Sequence, residues 1–248
     1  MAEINLCVIV PVYKHGKQIY DTIKNISKFN LPIIIIDDGN DKTTKESIKK
    51  LDSKFSNIVK TVMLSTNKGK GSAVTIGAKI AFELNYTHIL QIDADGQHNF
   101  TDIPLFIDKI NKYPFDLVSG IPIYDDSIPK SRLHGRKITN FWVAIETWTL
   151  QIKEAMCGFR IYPLTPYMQV AKKRGFSKGM GFDIDIIVRM YWAGINIQFI
   201  DTKIIYPKNG YSNFRMFKDN VKISWTHTKL VAGMLLRIPI LLTRRKFN

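Results

Sequence analysis

Four consecutive isoleucines, Ile33-Ile34-Ile35-Ile36, stand between Pro32 and the carboxylates Asp37 and Asp38. Successive side chains of a strand point to opposite faces. An unbroken β-branched run therefore fits a strand buried on both faces, as in a parallel sheet covered by helices. Leu6-Cys7-Val8-Ile9-Val10-Pro11 is a second such run, and residues 59–64, 87–92 and 116–120 supply three more. Helical spacing fills the intervals. Ile19, Ile23 and Ile26 recur within 18–29, and a charged surface helix fits 44–55. Val74, Ala78, Ala81 and Leu84 share one helical face, and Thr101 can cap a helix carrying Ile103, Phe106 and Ile110, with Pro104 tolerated in its first turn. Strand and helix alternating in this way predict a doubly wound, mostly parallel α/β sheet.

The polar residues at the strand ends come next, because ligands of open α/β sheets sit beyond the carboxyl ends of the strands. Asp93-Ala94-Asp95-Gly96-Gln97-His98 follows the run 87–92. Two carboxylates and an amide oxygen make a hard-oxygen set suited to Mg²⁺ or Mn²⁺, with positions left for a substrate's phosphates. A plain turn is the competing account of an isolated Asp-x-Asp; the strong strand before it favours metal and nucleotide. Asp37-Asp38-Gly39 ends the isoleucine run, where an Asp could bond a base or ribose, and an Asp-Gly turn explains the same residues equally well. The two glycines of Asn67-Lys68-Gly69-Lys70-Gly71 would let the backbone approach a ligand closely, and the segment precedes a helix whose N-terminus would attract phosphate, with Lys70 adding charge. Neither G-x-G-x-x-G after the first strand nor a Walker A spacing occurs.

Beyond Gly120 the pattern changes. Residues 124–133 are polar and turn-rich and predict a mobile loop; 137–151 predict a helix with Phe141, Trp142, Ile145 and Trp148. Cys157 to Tyr162 reads as a strand containing Arg160, whose planar fork suits a pyrophosphate or a structural carboxylate. Residues 172–180 read as a basic loop, 182–193 as a helix ended by Gly194, and 195–206 as a long strand. Asp183 and Asp185 open that helix; there Asp183 can complement the helix dipole and Asp185 can pair with Arg189.

The chain of 248 residues carries a formal charge of +15, which calls for an acidic partner. No helix-turn-helix, zinc-finger or RNP-type signature accompanies that charge, so nucleic acid is not expected. Cys7 and Cys157 each lie in an apolar run, which predicts two buried free thiols and a reducing compartment. No signal peptide is visible, and no apolar stretch reaches membrane-spanning length. In the tail, Leu230, Val231, Met234, Leu235, Ile238, Leu241 and Leu242 form one helical stripe, with Pro239 expected to kink it. Lys218, Lys222, Lys229, Arg237, Arg244, Arg245 and Lys246 surround it, with Trp225 nearby. Docking of that stripe on an anionic membrane is the favoured expectation, packing on the sheet the alternative.

Taken in order, Pro11-Val12-Tyr13, Asp37-Asp38-Gly39, Asn67-Lys68-Gly69-Lys70-Gly71, Asp93-Ala94-Asp95-Gly96-Gln97-His98 and Gly158-Phe159-Arg160 resemble the family-2 glycosyltransferases of GT-A fold. The likeness is to the polyprenyl-phosphate (dolichol-phosphate) sugar transferase branch and spans about residues 6–207. More weakly, Tyr211-Ser212-Asn213-Phe214-Arg215, Lys218-Asp219-Asn220 and Ser224-Trp225-Thr226-His227 resemble bacterial members found with lipid-modifying genes.

The resemblance implies a GT-A domain over 1–210 with a basic amphipathic tail over 211–248. It implies that Pro11, Tyr13, Asp37 and Asp38 serve the nucleoside, and that Lys70 and Gly71 lie near the phosphates. Asp93, Asp95 and Gln97 would bind Mg²⁺ or Mn²⁺, Arg160 would face donor or acceptor phosphates, and Asp185 matches the family's usual Glu. Three departures stand out: Lys14-His15 replaces the usual Asn-Glu pair, Pro122 stands where an Arg is common (Arg132 or Arg136 being substitutes), and Q-x-x-R-W is absent. The last implies transfer of a single sugar. The expected reaction is inverting transfer from a nucleotide-sugar to a lipid-linked acceptor at the cytoplasmic face of the inner membrane. A hydroxyl acceptor would need Asp183 or Asp185 as base. A non-catalytic nucleotide-sugar or nucleic-acid-binding protein is the remaining alternative.

Overall fold

The computed structural model describes residues 3–124, 130–204 and 215–245. Expectations for the loop 125–129, and for Tyr211, Ser212, Asn213, Phe214 and Lys246, lie outside the described residues, as do the side chains of Arg132, Arg244 and Arg245.

Seven strands form one sheet in the order β3-β2-β1-β4-β6-β5-β7. They are β1 (Leu6–Val12), β2 (Ile33–Asp37), β3 (Val59–Met63), β4 (His88–Gln91), β5 (Leu117–Ile123), β6 (Arg160–Pro163) and β7 (Ile197–Lys203). All neighbours are parallel except at β6, which runs antiparallel to β4 and β5. The helices are α1 (Ile19–Ser27), α2 (Lys42–Lys54), α3 (Lys70–Glu83), α4 (Ile103–Lys112), α5 (Lys130–Thr147), α6 (Leu164–Lys173), α7 (Phe182–Trp192), α8 (Met216–Leu235) and α9 (Ile238–Arg245).

The isoleucine run does what its unbroken character requires. Ile33 and Ile35 enter the core beneath α1, α2 and α4, while Ile34 and Ile36 enter the opposite core beneath α3, α6 and α7. All four are at most 2% exposed. Each such side chain contributes about 1.5–3 kcal/mol by leaving water. Cys7 and Cys157 are buried free thiols, and burial pushes them up to about 12 and about 11.

Several boundaries differ from the sequence expectations. α5 starts at Lys130, inside the stretch expected to be a loop, and ends at Thr147. α6 was not expected; Pro163 ends β6, and Pro166 sits in the first helical turn, where a missing N–H costs nothing. Asn99, not Thr101, provides the side-chain cap ahead of α4, on the short 3₁₀ turn Phe100–Asp102. β5 continues through Pro122 to Ile123.

A third apolar cluster joins α5, α7 and α8. It corrects the reading of the tail stripe. Leu230, Met234 and Leu241 are buried there, with Val231 and Ile238 packed against them. These five of the stripe's seven residues cover the protein's own core, because α5 and α7 already offer an apolar face at that place. The apolar residues left outside are Phe217, Val221 and Trp225 on α8, Leu235, Leu236, Ile240 and Leu242 further on, and Ile138, Phe141 and Trp142 on α5. Among the described residues no helix is long and apolar enough to cross a membrane.

Candidate active site

The carboxyl ends of β1, β2 and β4 lie side by side, since Val12 is in register with Asp37, and Ile9 with Gln91. The antiparallel sense of β6 brings its first residue, Arg160, opposite Gln91 at the end of β4. Motifs far apart in sequence thus meet at one edge of the sheet.

Lys70 is the centre of the cluster. Its Nζ donates to Asp93 Oδ2 at 2.9 Å and to Asp183 Oδ2 at 2.8 Å. Burial would raise the Asp93 carboxyl, but the Lys70 ammonium, with His98 beside it, outweighs burial and holds it well below the ordinary range. Burial likewise opposes the Lys70 charge, and Asp183 and Asp93 outweigh it, so the ammonium is held above its usual value. Asp183 Oδ1 accepts from Gln91 Nε2 at 3.1 Å, and Gln91 Oε1 accepts from the Tyr162 hydroxyl at 3.2 Å. Gly158 closes over the pair: a Cβ there would stand 2.5 Å from Asp93 Oδ2 and 2.7 Å from Lys70 Nζ.

Asp93 Oδ1 is buried and accepts no hydrogen bond among the described residues. His98 Nε2 lies 3.8 Å from the other oxygen of that carboxylate. Asp95 is half-buried, and its Oδ1 accepts from the Gln97 backbone N–H at 3.0 Å, which sets the turn. An unpaired carboxylate oxygen with Asp95 and the Gln97 amide on the same turn suits a hard divalent cation. No cluster of three His, Cys, Asp or Glu converges among the described residues, so these groups would supply only part of its shell.

The structure reassigns three expected contacts. Asp38 is buried, and its oxygens accept from Lys68 N at 2.7 Å, Gly69 N at 2.8 Å and Asn67 Nδ2 at 3.0 Å. The anion ahead of α3 is therefore Asp38 itself, which shapes the loop where it was expected to hold a nucleoside. Gly71 donates to Lys178 O at 2.8 Å, and a Cβ on it would lie 2.1 Å from Ser177 O. The close backbone approach expected of a ligand is made by the protein's own 177–178 segment. Gly69 serves the same approach with φ +90°, a conformation open to glycine. Arg160 is fully buried beneath the site, donating from Nε to Ser119 Oγ at 3.0 Å and from Nη1 to Asp183 O at 2.6 Å. It anchors the start of α7, and its Nη2 has no hydrogen-bond partner among the described residues. Asp185 pairs with Arg189 at 3.8 Å, as the i,i+4 spacing predicts, and turns away from Lys70: its Oδ2 accepts from Ser177 N at 2.6 Å.

Asp37 remains at the cleft's other wall. It is buried, with Oδ1 accepting from Asn40 N at 3.0 Å and Asn40 Nδ2 at 2.6 Å, while Oδ2 has no hydrogen-bond partner among the described residues. Asn40 also donates to Val12 O at 2.8 Å and accepts from Lys14 N at 2.6 Å, tying the β1 loop with Pro11 and half-buried Tyr13 to β2. Sequence reasoning assigned no individual role to Asn40, Asn67, Gln91 or Ser177. Asn40 follows the Asp-Asp-Gly turn directly, and Gln91 is a polar residue inside an apolar strand, so both carried a signal.

Comparison with known proteins matches this geometry to one family. The family model "Glycosyl transferase family 2" matches residues 7–175. The chain is 27% identical to a dolichyl-phosphate beta-glucosyltransferase of Dictyostelium discoideum, over 91% of this chain and 75% of that protein. It is 28% identical to a UDP-N-acetylglucosamine–dolichyl-phosphate N-acetylglucosaminyltransferase of Methanococcus voltae, over 65% and 70% respectively. In fold it is similar to glucosyl-3-phosphoglycerate synthase of Mycobacterium tuberculosis, solved with Mn²⁺, UDP and glucosyl-3-phosphoglycerate, with TM-score 0.67, 15% identity and coverage of 95% of this chain and 80% of that one. The sheet, with β6 antiparallel between parallel neighbours, is thus the GT-A architecture. The chain belongs to glycosyl transferase family 2 and is a glycosyltransferase.

Proposed function

We propose that this enzyme transfers one sugar from a nucleotide-sugar to a polyprenyl phosphate, with inversion, at the cytoplasmic face of a membrane. The carrying observation is the occupancy of Asp183. Its two oxygens accept from Lys70 at 2.8 Å and from Gln91 at 3.1 Å, and Asp185 faces away from the cleft. Neither carboxylate stands ready to take a proton from a hydroxyl. An acceptor phosphate needs no such base, because its second pKa of about 6 leaves it ionised at neutral pH. Two relatives carry dolichyl phosphate in their names, in keeping with this acceptor.

Asp93, Asp95 and Gln97 would hold Mg²⁺ or Mn²⁺, and such an ion stabilises charge developing on the departing nucleoside diphosphate. The Mn²⁺ and UDP of the mycobacterial structure support that reading. Lys70 fixes Asp93 and Asp183 and adds a cation beside the leaving group. Pro11, Tyr13 and the unpaired Oδ2 of Asp37 line the nucleoside end. Membrane contact falls to the outer apolar residues Phe217, Val221 and Trp225 of α8 and Phe141 of α5, with Lys218 and Lys222 adding charge.

The test is a panel of labelled nucleotide-sugars offered with polyprenyl phosphate or the matching polyprenol. Metal-dependent product with the phosphate alone is expected. Product with the polyprenol alone refutes the phosphate acceptor.

A further inference from the structure

A cavity lies between α6, α7 and α8, and Lys70, Asp93 and Asp183 are not among its lining residues. Its volume is about 400 Å³, within the range of sites for small ligands. Lys173, Arg174, Arg189, Lys229 and Arg237 line it, and Asp185 is the one carboxylate among its lining residues. The cleft and this groove are served by opposite sides of one helix: Asp183 points to Lys70, while Asp185, two residues on, points to Ser177 and Arg189.

Two of the five cations, Arg189 and Arg237, are held mainly by aromatic and carbonyl contacts. Arg189 stacks over Phe176 at 4.7 Å and donates to the carbonyls of Val170 at 3.0 Å, Gly175 at 3.1 Å and Arg174. Arg237 stacks over Trp192 at 4.6 Å and donates to Gly233 O at 2.8 Å. Trp192 reaches that position because residue 233 is glycine: a Cβ there would stand 2.9 Å from the indole. Arg189 is held below its ordinary range, first by burial and, against the opposing pull of Asp185, by the charges of Arg174 and Arg237. Among the described residues, the 3.8 Å pair of Arg189 with Asp185 is the groove's one ion pair; Lys229, half-buried, has none. Among the described residues four of the five cations have no ion pair, and stacking preorganises Arg189 and Arg237, an arrangement able to recognise phosphate.

We propose that this groove is a second anion site, binding a phosphate-bearing ligand separately from the nucleotide cleft. The phosphate belongs to a soluble phosphate compound or to a lipid headgroup.

Titration calorimetry of the full chain with sodium pyrophosphate tests this, in EDTA so that the carboxylate-rich cleft carries no metal. One saturable site is expected, weakened at least tenfold by Lys229→Glu and by Arg174→Glu. Lys50→Glu, an equal charge change on α2, should leave it intact. Lys229→Gln and Arg174→Gln replace the charge reversals if either impairs folding, checked by thermal unfolding. Absence of saturable binding, or equal weakening by Lys50→Glu, overturns the site. Sedimentation with vesicles containing phosphatidic acid then separates the sources. Vesicle binding lost in the groove variants assigns a lipid headgroup, and vesicle binding retained while pyrophosphate binding is lost assigns a soluble phosphate.

Discussion

Lys70 and Asp183, 113 residues apart in sequence, meet at 2.8 Å, and the same ammonium reaches Asp93 at 2.9 Å. One cation therefore holds together the first turn of α3, the end of β4 and the first turn of α7. Lys70→Met would leave two carboxylates facing each other with no counter-charge. Removing one partner of a buried pair costs about 3–5 kcal/mol, and the partial exposure here places the loss near 3 kcal/mol. The sign with pH follows from Asp93, whose folded-state pKa is depressed. Its contribution is present above the unfolded carboxylate value, near about 4, and is lost as pH falls through the folded one. Urea unfolding should thus show the full gap between wild type and variant at neutral pH and a narrowing gap below about pH 4.

Asp95→Asn should abolish transfer without unfolding the protein. The retained amide oxygen can still accept from Gln97 N, so the turn survives. The lost negative charge is what a divalent cation requires. Excess EDTA should stop the wild type, reversibly on adding Mn²⁺ or Mg²⁺. Undiminished turnover in chelator would remove the metal from the scheme.

Gly158→Ala tests the tight cover over the cluster. The new methyl would stand within 3.0 Å of both Asp93 Oδ2 and Lys70 Nζ, so the pair must move. A displacement near 1 Å at a reacting centre can cost about 10²-fold in rate. The expected result is that loss together with a lowered melting temperature, since overpacking of this kind costs about 1–3 kcal/mol. Wild-type turnover would mean the pair's position is immaterial.

Much of the site was legible because strand ends announce themselves. An apolar run that stops at Asp93 or Asp37 fixes both the strand and the place of the carboxylate. The direction of β6 was not legible, since a period-two pattern reads the same in parallel and antiparallel strands; that direction carries Arg160 to the end of β4. Gly69 and Gly71 suggest close approach to a ligand, but glycine does not say what approaches, and the 177–178 backbone does so here. The tail stripe was ambiguous for the same reason: apolar spacing identifies a buried face without naming what buries it.

Membrane docking can now be tested without deleting the tail, which would strip Leu230 and Met234 from the core around α7. Trp225→Ser with Phe141→Ser changes side chains that are 62% and 63% exposed. The double variant should keep its stability and lose sedimentation with anionic liposomes. Unchanged sedimentation would show that this face is not the membrane contact.

The acceptor class is decided by pH. With a phosphate acceptor, the rate should fall below about pH 6 as the acceptor takes up a proton. That limb belongs to the substrate, so it must persist in Asp183→Asn and Asp185→Asn. Asp185→Asn should lower turnover modestly, because its amide oxygen can still accept from Ser177 N. Asp183→Asn should cost more, because it loses the charge that holds Lys70. A hydroxyl acceptor behaves differently. Its acid limb would report the enzyme's own base, whose removal costs about 10²–10⁴ in rate and abolishes the limb. Profiles of the wild type and both variants, with donor binding measured alongside, separate the two. Disappearance of the acid limb in Asp183→Asn, with donor binding intact, would make Asp183 the general base and the acceptor a hydroxyl.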